Sequence, residues 1–348
     1  MINIELTKIK KTFIIAEAGS NWKVGTSKDD LIQAKKMIRA ASKAGADAVK
    51  FQVFRSNTVY THNAGQVRYL SNENSTINEL FDKLSMPYEM IPKLANFCKK
   101  EKILFMATAF SVEDAKQIDP YVKIHKIASY EINHTRLLEF ISQTKKPILI
   151  STGAASYDEI DFAVNKIKKN GNKNIGILQC TAKYPAAIEL LNLSVIPEMN
   201  LKYNLPVGLS DHSIDPIVGP LMSIGLGGKF IEKHFTLDKK LDGPDHYFAL
   251  EPNELKLMVK TIRDGEKSKG NKNKKILKEE KDLKIFATRS IQAIKNIKKG
   301  DTLEEGVNFE VLRPGKRVRG VDARFLEKVN GKKAIKNISK GNGIKEFK

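Results

Sequence analysis

A (β/α)8 barrel followed by a small C-terminal module is the architecture this sequence predicts, and three observations predict it. Eight short apolar runs recur along the first 240 residues with helix-like stretches between them, the alternation expected of βα units. Nearly every run closes on a polar or charged side chain, as barrel strands do when chemistry is built at their C-terminal ends. Past residue 267 the alternation stops at KSKGNKNKKILKEE, from Lys267 to Glu280, a stretch rich in Lys and Asn with little to bury.

In chain order, the runs are Phe13 to Glu17, Ala46 to Gln52, Ile103 to Thr108, Val122 to Ala128, Pro147 to Thr152, Ile175 to Cys180, Pro206 to Ser210 and Lys229 to His234. Each has the length of a buried strand rather than a helix. The first closes on Glu17, the second carries Lys50 and Gln52, the third ends on Thr108 and the fourth holds Lys126. The fifth ends on Ser151 and Thr152, and Thr181 follows the sixth. Ser210 closes the seventh with His212 just beyond it, and the eighth carries Glu232 and His234. A helix-like run from Asn253 to Glu266 precedes the break, and the C-terminal residues read as short β-like runs separated by Gly turns. The predicted domains are therefore a barrel over 1–267, a linker over 268–282 and a C-terminal domain over 283–348.

Composition narrows the class. A chain of 348 residues with 41% hydrophobic content supports a large core. No stretch reaches the ~20 apolar residues of a membrane span, and MINIELTKIKKTF lacks the apolar segment of a signal peptide; a cytosolic protein with no membrane partner is expected. Cys98 and Cys180 form no CxxC pattern, so neither a disulfide framework nor a thiolate zinc site is indicated. Cys180 ends the sixth run, where small buried thiols commonly pack. Between Ser268 and Lys348 stand 23 Lys and Arg against 10 Asp and Glu, a net +13 of the whole +20. Clustered cations attract phosphate, but these lysines are dispersed among Asn and Ile with no nucleic-acid motif, so no nucleic-acid partner is expected. A basic module can attract an anionic substrate or can simply be a solvated surface.

Strand side chains alternate faces, so Lys50 with Gln52, Ser210 with His212, and Glu232 with His234 point the same way as each other. Barrel closure sets the first strand beside the eighth and brings Glu17 next to His234 and His212. An isolated histidine is more often a satisfied core residue; two at adjacent strand ends point instead to a metal-assisted site. Two neutral imidazoles with waters, and Glu17 near them, leave the open positions that a Lewis-acid site requires. Nitrogen and oxygen ligands without thiolate admit Mn²⁺, Fe²⁺, Co²⁺ or Zn²⁺. Lys50, Lys126 and the hydroxyls of Thr108, Ser151 and Ser210 read as a small cationic pocket suited to phosphate or carboxylate. A lysine at a strand end also serves imine chemistry, but two lysines beside a histidine pair favour anion binding plus a metal. Asp245 and His246 lie on a turn set by Gly243 and Pro244 that can fold over the mouth, where Asp245 either binds substrate hydroxyls or caps the turn.

The motifs IIAEAGSNW, GADAVKFQ, HKIASYEI, ILISTGA, LQCTAKYPA, VGLSDHS, IEKHFTLD and GPDH, in this order and followed by IKKGD and LRPGK, resemble the sialic acid synthase family. Its members condense phosphoenolpyruvate with an N-acetylhexosamine to make nonulosonic acids. The resemblance spans nearly the whole chain, and its C-terminal part is similar to the antifreeze-like (SAF) domain of that family. It implies a homodimer in which each SAF domain covers the partner's barrel mouth, with Arg313 reaching the sugar in the other subunit. By position it implies His212 and His234 as ligands of a divalent metal, Mn²⁺ first with Mg²⁺ or Co²⁺ as alternates, and Glu17 close to that metal. Lys50, Lys126, Thr108 and Ser210 would hold phosphoenolpyruvate, while Gln52, Tyr184, Glu232 and Asp245 would hold the amino sugar. Glu131 would face the reacting pyruvyl carbon or its attacking water.

Three positions depart from the family pattern. Trp22 stands where many members have histidine, Ala109 replaces a proline, and Ala182 replaces an asparagine that meets the sugar in sialic acid synthases. A lost amide donor changes which acetamido or hydroxyl pattern is favoured, so a legionaminic or pseudaminic acid synthase acting on a diacetamido sugar is the alternative. Synthases acting on sugar phosphates would need a second phosphate site and no SAF domain. A catalytically dead carbohydrate-binding barrel would have lost residues at its strand ends, whereas here all are present.

Overall fold

The computed structural model describes residues 4–66 and 76–348. Eight parallel strands form a closed barrel in sequence order: β1 (Phe13–Gly19), β2 (Ala48–Val53), β3 (Leu104–Ala109), β4 (His125–Ile127), β5 (Ile148–Ser151), β6 (Ile175–Cys180), β7 (Val207–Asp211) and β8 (Phe230–His234). All eight predicted runs are strands, with ends differing by a few residues. The largest difference is β4, which has three residues where seven were expected, because only His125 to Ile127 pair with β5. Closure is parallel, β1 on β8 from Phe13 opposite Phe230 to Glu17 opposite His234.

Two apolar layers follow from strand alternation. Inside the barrel, Ile15, Ala48, Met106, Ile124, Leu149, Leu178 and Phe230 pack with Leu6 of the N-terminal turn Leu6–Lys8. That turn is fastened by Asn174, which accepts from Leu6 N at 2.9 Å and donates to Ile4 O at 2.6 Å. The Phe230 ring fits inside because β6 and β7 each give up a side chain. A Cβ on Gly176 would lie 2.8 Å from the ring, and one on Gly208 would lie 2.3 Å from the Phe230 carbonyl oxygen. Outside, the helix-facing residues of the strands and the apolar stripes of the helices form one continuous core.

The helices are held by local signals. Ser27–Ala44 begins under the Thr26 side chain, carries Asp29 and Asp30 in its first turn, and ends at Gly45 with φ +90°, the left-handed C-terminal geometry that glycine adopts without strain. Pro252–Ser268 starts with proline and a carboxylate cap. Its Arg263 donates to Asp47 Oδ2 at 3.0 Å and to Thr12 O at 2.8 Å, so this helix is tied to the starts of β1 and β2. No helix among the described residues is long and apolar enough to cross a membrane.

The chain divides into two compact units, Met1–Gly270 and Asn271–Lys348. The second has its own core of Ile291, Ala293, Ile297, Leu303, Phe309, Val329, Ala334, Ile338 and Ile344. Its antiparallel pair is β9 (Ser290–Ala293) and β10 (Phe309–Leu312). Regular structure already begins within the stretch expected as linker, at the 3-10 turn Lys278–Glu280 and the helix Lys281–Ala287.

Candidate active site

The C-terminal strand ends bring together most of the residues singled out in the sequence. Glu17, Lys50, Thr108, Lys126, Ser151, Ser210, His212, Glu232 and His234 are all buried there, although each is polar or charged. Lys50 Nζ lies 2.6 Å from Glu17 Oε2, donates to Thr108 Oγ1 at 3.0 Å and stands 3.6 Å from Glu232 Oε1. Lys126 Nζ approaches that same Glu232 oxygen at 3.6 Å, and Ser210 Oγ donates to it at 3.3 Å. Gln52 Nε2 donates to Glu17 Oε1 at 3.0 Å. The pocket expected to be cationic is therefore a balanced cluster, two ammonium groups against two carboxylates. Buried charges of one sign alone would be far more costly.

The cluster sets its own ionisation. Burial pushes the Glu17 carboxyl up from its ordinary range, with Lys50 pulling against it. Burial opposes the charge of Lys50, yet Glu17 and Glu232 together hold its pKa above normal. For Lys126 burial wins and the pKa falls despite Glu232. Burial also works against ionised Glu232, but Lys126 and Lys50 outweigh it and keep that carboxylate charged. Glu131, on the 3-10 turn Ser129–Glu131 after β4, is pushed up to about 7 by burial against the attraction of Lys126. Glu131 Oε2, Glu232 Oε2 and Ser151 Oγ are buried without a hydrogen-bond partner among the described residues. Buried polar atoms are normally satisfied, so these three mark positions for a polar ligand.

Beside this cluster stands the histidine pair, with ring centroids 5.3 Å apart. His212 Nδ1 is 2.7 Å from the Thr181 carbonyl oxygen; a carbonyl only accepts, so Nδ1 carries a proton and, in the neutral ring, Nε2 keeps its lone pair available. Burial, His212 and Lys50 keep His234 neutral, well below its ordinary pKa. His234 Nε2 lies 4.0 Å from Asp245 Oδ2. Asp245 is pushed up to about 7 by burial, and Glu17 adds to the shift. Among the described residues no group of three or more His, Cys, Asp and Glu stands ready as a complete metal cage. The donor set present, two imidazoles with Asp245 near one of them, fits an open site completed by water or substrate. Glu17 is engaged by Lys50 and Gln52 and is less available than the sequence suggested.

Aromatic rings wall the pair. Tyr184 packs on His212 with centroids 4.1 Å apart, and Phe248 packs on His234 at 5.0 Å. Tyr247 donates its hydroxyl to the Tyr184 carbonyl at 2.9 Å, tying the Asp245 turn to the loop after β6. His246, expected on the same turn, is buried and bonded to Thr236 Oγ1 at 2.6 Å, so it braces the turn. Sequence reasoning missed Phe248, Tyr247 and Ser129. Ser129 Oγ accepts from Gly153 N at 2.9 Å and lies 3.6 Å from Cys180 Sγ; its signal was a hydroxyl in the HKIASYEI segment that also holds Glu131. Arg313 follows β10 in the second unit and is exposed.

Comparison with known proteins gives matches along nearly the whole chain. The NeuB family model matches residues 37–274. The chain is 38% identical to the N,N'-diacetyllegionaminic acid synthase of Campylobacter jejuni serotype O:2, over 97% of this chain and 100% of that one. It is 37% identical to the pseudaminic acid synthase of Campylobacter jejuni serotype O:23/36, over 97% and 96%. The crystal structure of N-acetylneuraminic acid synthetase from Leptospira borgpetersenii, in complex with citrate, superposes with a TM-score of 0.70 at 32% identity, covering 79% of this chain and 90% of that one. The family match over most of the barrel, together with relatives aligned nearly end to end, establishes that this chain belongs to the NeuB family.

Proposed function

We propose that this enzyme condenses phosphoenolpyruvate with an N-acetylhexosamine and water to give a nonulosonic acid and phosphate. The observation that carries the reading is the buried Glu17–Lys50–Glu232–Lys126 cluster set directly beside the His212–His234 pair. Lys126 approaches Glu232 only at 3.6 Å and donates to its neighbouring carbonyl, Ile127 O, at 3.3 Å. It therefore keeps donor capacity for an anion, and with Lys50, Thr108, Ser151 and Ser210 it would hold phosphoenolpyruvate. Gln52, Tyr184, Glu232 and Asp245 border the space left for the sugar, and Arg313 of a partner subunit would complete it in a homodimer.

In the reaction C3 of phosphoenolpyruvate attacks the aldehyde carbon of the open-chain sugar. Water adds at C2 as positive charge develops there, and the tetrahedral intermediate expels phosphate with cleavage of its C–O bond. Glu232, kept ionised by Lys126 and Lys50, stabilises the developing positive charge with Glu17 beside Lys50, and Glu131, poised near neutrality, takes the proton of the attacking water. His212 and His234 would hold a divalent metal, with Mn²⁺ the first candidate, whose Lewis acidity would serve the aldehyde oxygen.

For the sugar itself, Ala182 favours a second reading. It presents a methyl group beside Gly153, where a Cβ would come within 3.2 Å of Ala182 Cβ, and it brings no amide to the wall next to Tyr184. That wall suits a diacetamido-trideoxyhexose, the substrate type of a legionaminic or pseudaminic acid synthase, over N-acetylmannosamine. Phosphate release from phosphoenolpyruvate with Mn²⁺ and each sugar separately decides. Release with N-acetylmannosamine makes the product N-acetylneuraminate, release only with the diacetamido sugar assigns the other branch, and silence with both overturns the reading.

A further inference from the structure

Asp211 and Lys233 are register partners on β7 and β8, and each immediately precedes one of the two mouth histidines. Neighbours along a strand face opposite ways, so this pair points into the layer between barrel and helices. There Lys233 Nζ donates to Asp211 Oδ2 at 2.7 Å, to Ser213 Oγ at 3.0 Å and to Ser213 O at 2.5 Å. The second Asp211 oxygen accepts from Ser213 N at 2.8 Å. All three ammonium protons are used, and Asp211 and Lys233 are each 1% exposed. The overlying helix Val218–Gly225 makes room with a glycine, since a Cβ at Gly219 would stand 2.7 Å from Asp211 Oδ2.

A buried ion pair is a poor device for stability, because desolvating two charges offsets their attraction and apolar residues of similar volume serve a core as well or better. Its directional bonds fix geometry instead. They run from Lys233, next to His234, to Asp211 and Ser213, which flank His212 on both sides. We propose that the Lys233–Asp211–Ser213 clasp is a positioning device that holds His212 and His234 at the separation a divalent cation requires. The role rests on the assignment of those histidines as metal ligands, and the three clasp residues act through them without touching substrate.

The test is Mn²⁺ affinity of the full-length protein without substrates, read as free Mn²⁺ by electron paramagnetic resonance, with circular dichroism and thermal melting to confirm folding. The double variant Asp211→Asn/Lys233→Met removes both charges and so leaves no unpaired ion. A folded double variant with affinity lowered about 10- to 100-fold, the range typical of lost outer-shell support, is the expected result. Affinity within twofold of the unmodified chain overturns the clasp while leaving the ligand assignment standing. Failure of the unmodified chain to take up Mn²⁺ overturns the ligand assignment and the clasp with it. If the double variant does not fold, Ser213→Ala decides, since it removes one arm only: several-fold weaker Mn²⁺ binding supports the clasp, and unchanged binding overturns it.

Discussion

Glu17 and His234 sit opposite one another in register across the β1–β8 seam, so the ladder that closes the barrel also sets a carboxylate beside an imidazole. A slip of one residue would turn Glu17 into the helix layer. Its carboxylate also holds Lys50 at 2.6 Å. Glu17→Gln keeps the shape but removes the charge, leaving Lys50 with Glu232 at 3.6 Å. The expected outcome is a folded protein destabilised by about 1–3 kcal/mol with phosphate release at least ~100-fold slower, the size of effect that losing one electrostatic contributor has on kcat. Urea unfolding and a phosphate-release assay measure the two, and turnover at the parent rate would remove Glu17 from the chemistry.

Glu131 gives a pH prediction with a definite sign. Its pKa in the fold is about 7 against 4.5 when free, so folding favours the protonated acid. Its contribution to stability is full below pH 4.5 and is lost as pH rises to about 7. Glu131→Gln is free of that loss, so above pH 7 the variant should be the more stable protein, by at most ~3 kcal/mol, with the difference vanishing toward pH 4.5. Parallel melting curves at pH 5 and pH 8 would contradict it. In the parent, a base at this position predicts that kcat/KM falls as pH drops below about 7.

Among the glycines of the barrel strands, Gly208 leaves the least room for a side chain. A Cβ there meets the carbonyl oxygen and nitrogen of Phe230 at 2.3 and 2.7 Å. Both are backbone atoms that no rotamer change can move. Gly208→Ala should therefore part β7 from β8 and cost about 3–5 kcal/mol, shifting Glu232 and His234 downstream and lowering turnover with stability. A denaturation midpoint equal to that of the parent would show that the strands tolerate the methyl group.

The legibility of this site follows from barrel geometry. Period-two alternation fixed which of Lys50, Gln52, Ser210, His212, Glu232 and His234 share a face, and closure alone brought Glu17 to His234, so those residues were readable from spacing. What could not be read was how neighbouring charges divide among partners. Lys50 and Lys126 looked like a free cationic pocket, but their distances to Glu17 and Glu232 depend on side-chain packing across strands far apart in sequence. Phe248 and Tyr247 were missed for a similar reason, since a loop folding back over the mouth leaves no periodic trace. The Asp211–Lys233 clasp was hidden because its residues alternate with the histidines and so fell on the face assigned to packing.

Ala182 carries the last prediction, about substrate choice. It follows β6 by two residues, beside Gly153 and two residues before Tyr184, whose ring packs on His212. An asparagine there adds an amide donor and acceptor to the wall of the proposed sugar space. One well-made hydrogen bond in a closed site is worth about 1–1.5 kcal/mol, so Ala182→Asn should shift the ratio of kcat/KM values toward N-acetylmannosamine, relative to a diacetamido-trideoxyhexose, by roughly tenfold. The KM for phosphoenolpyruvate should stay unchanged, because the lysines that would hold it are untouched. A ratio that does not move would mean that position 182 does not meet the sugar and that selection lies elsewhere in the Gln52, Tyr184 and Asp245 wall.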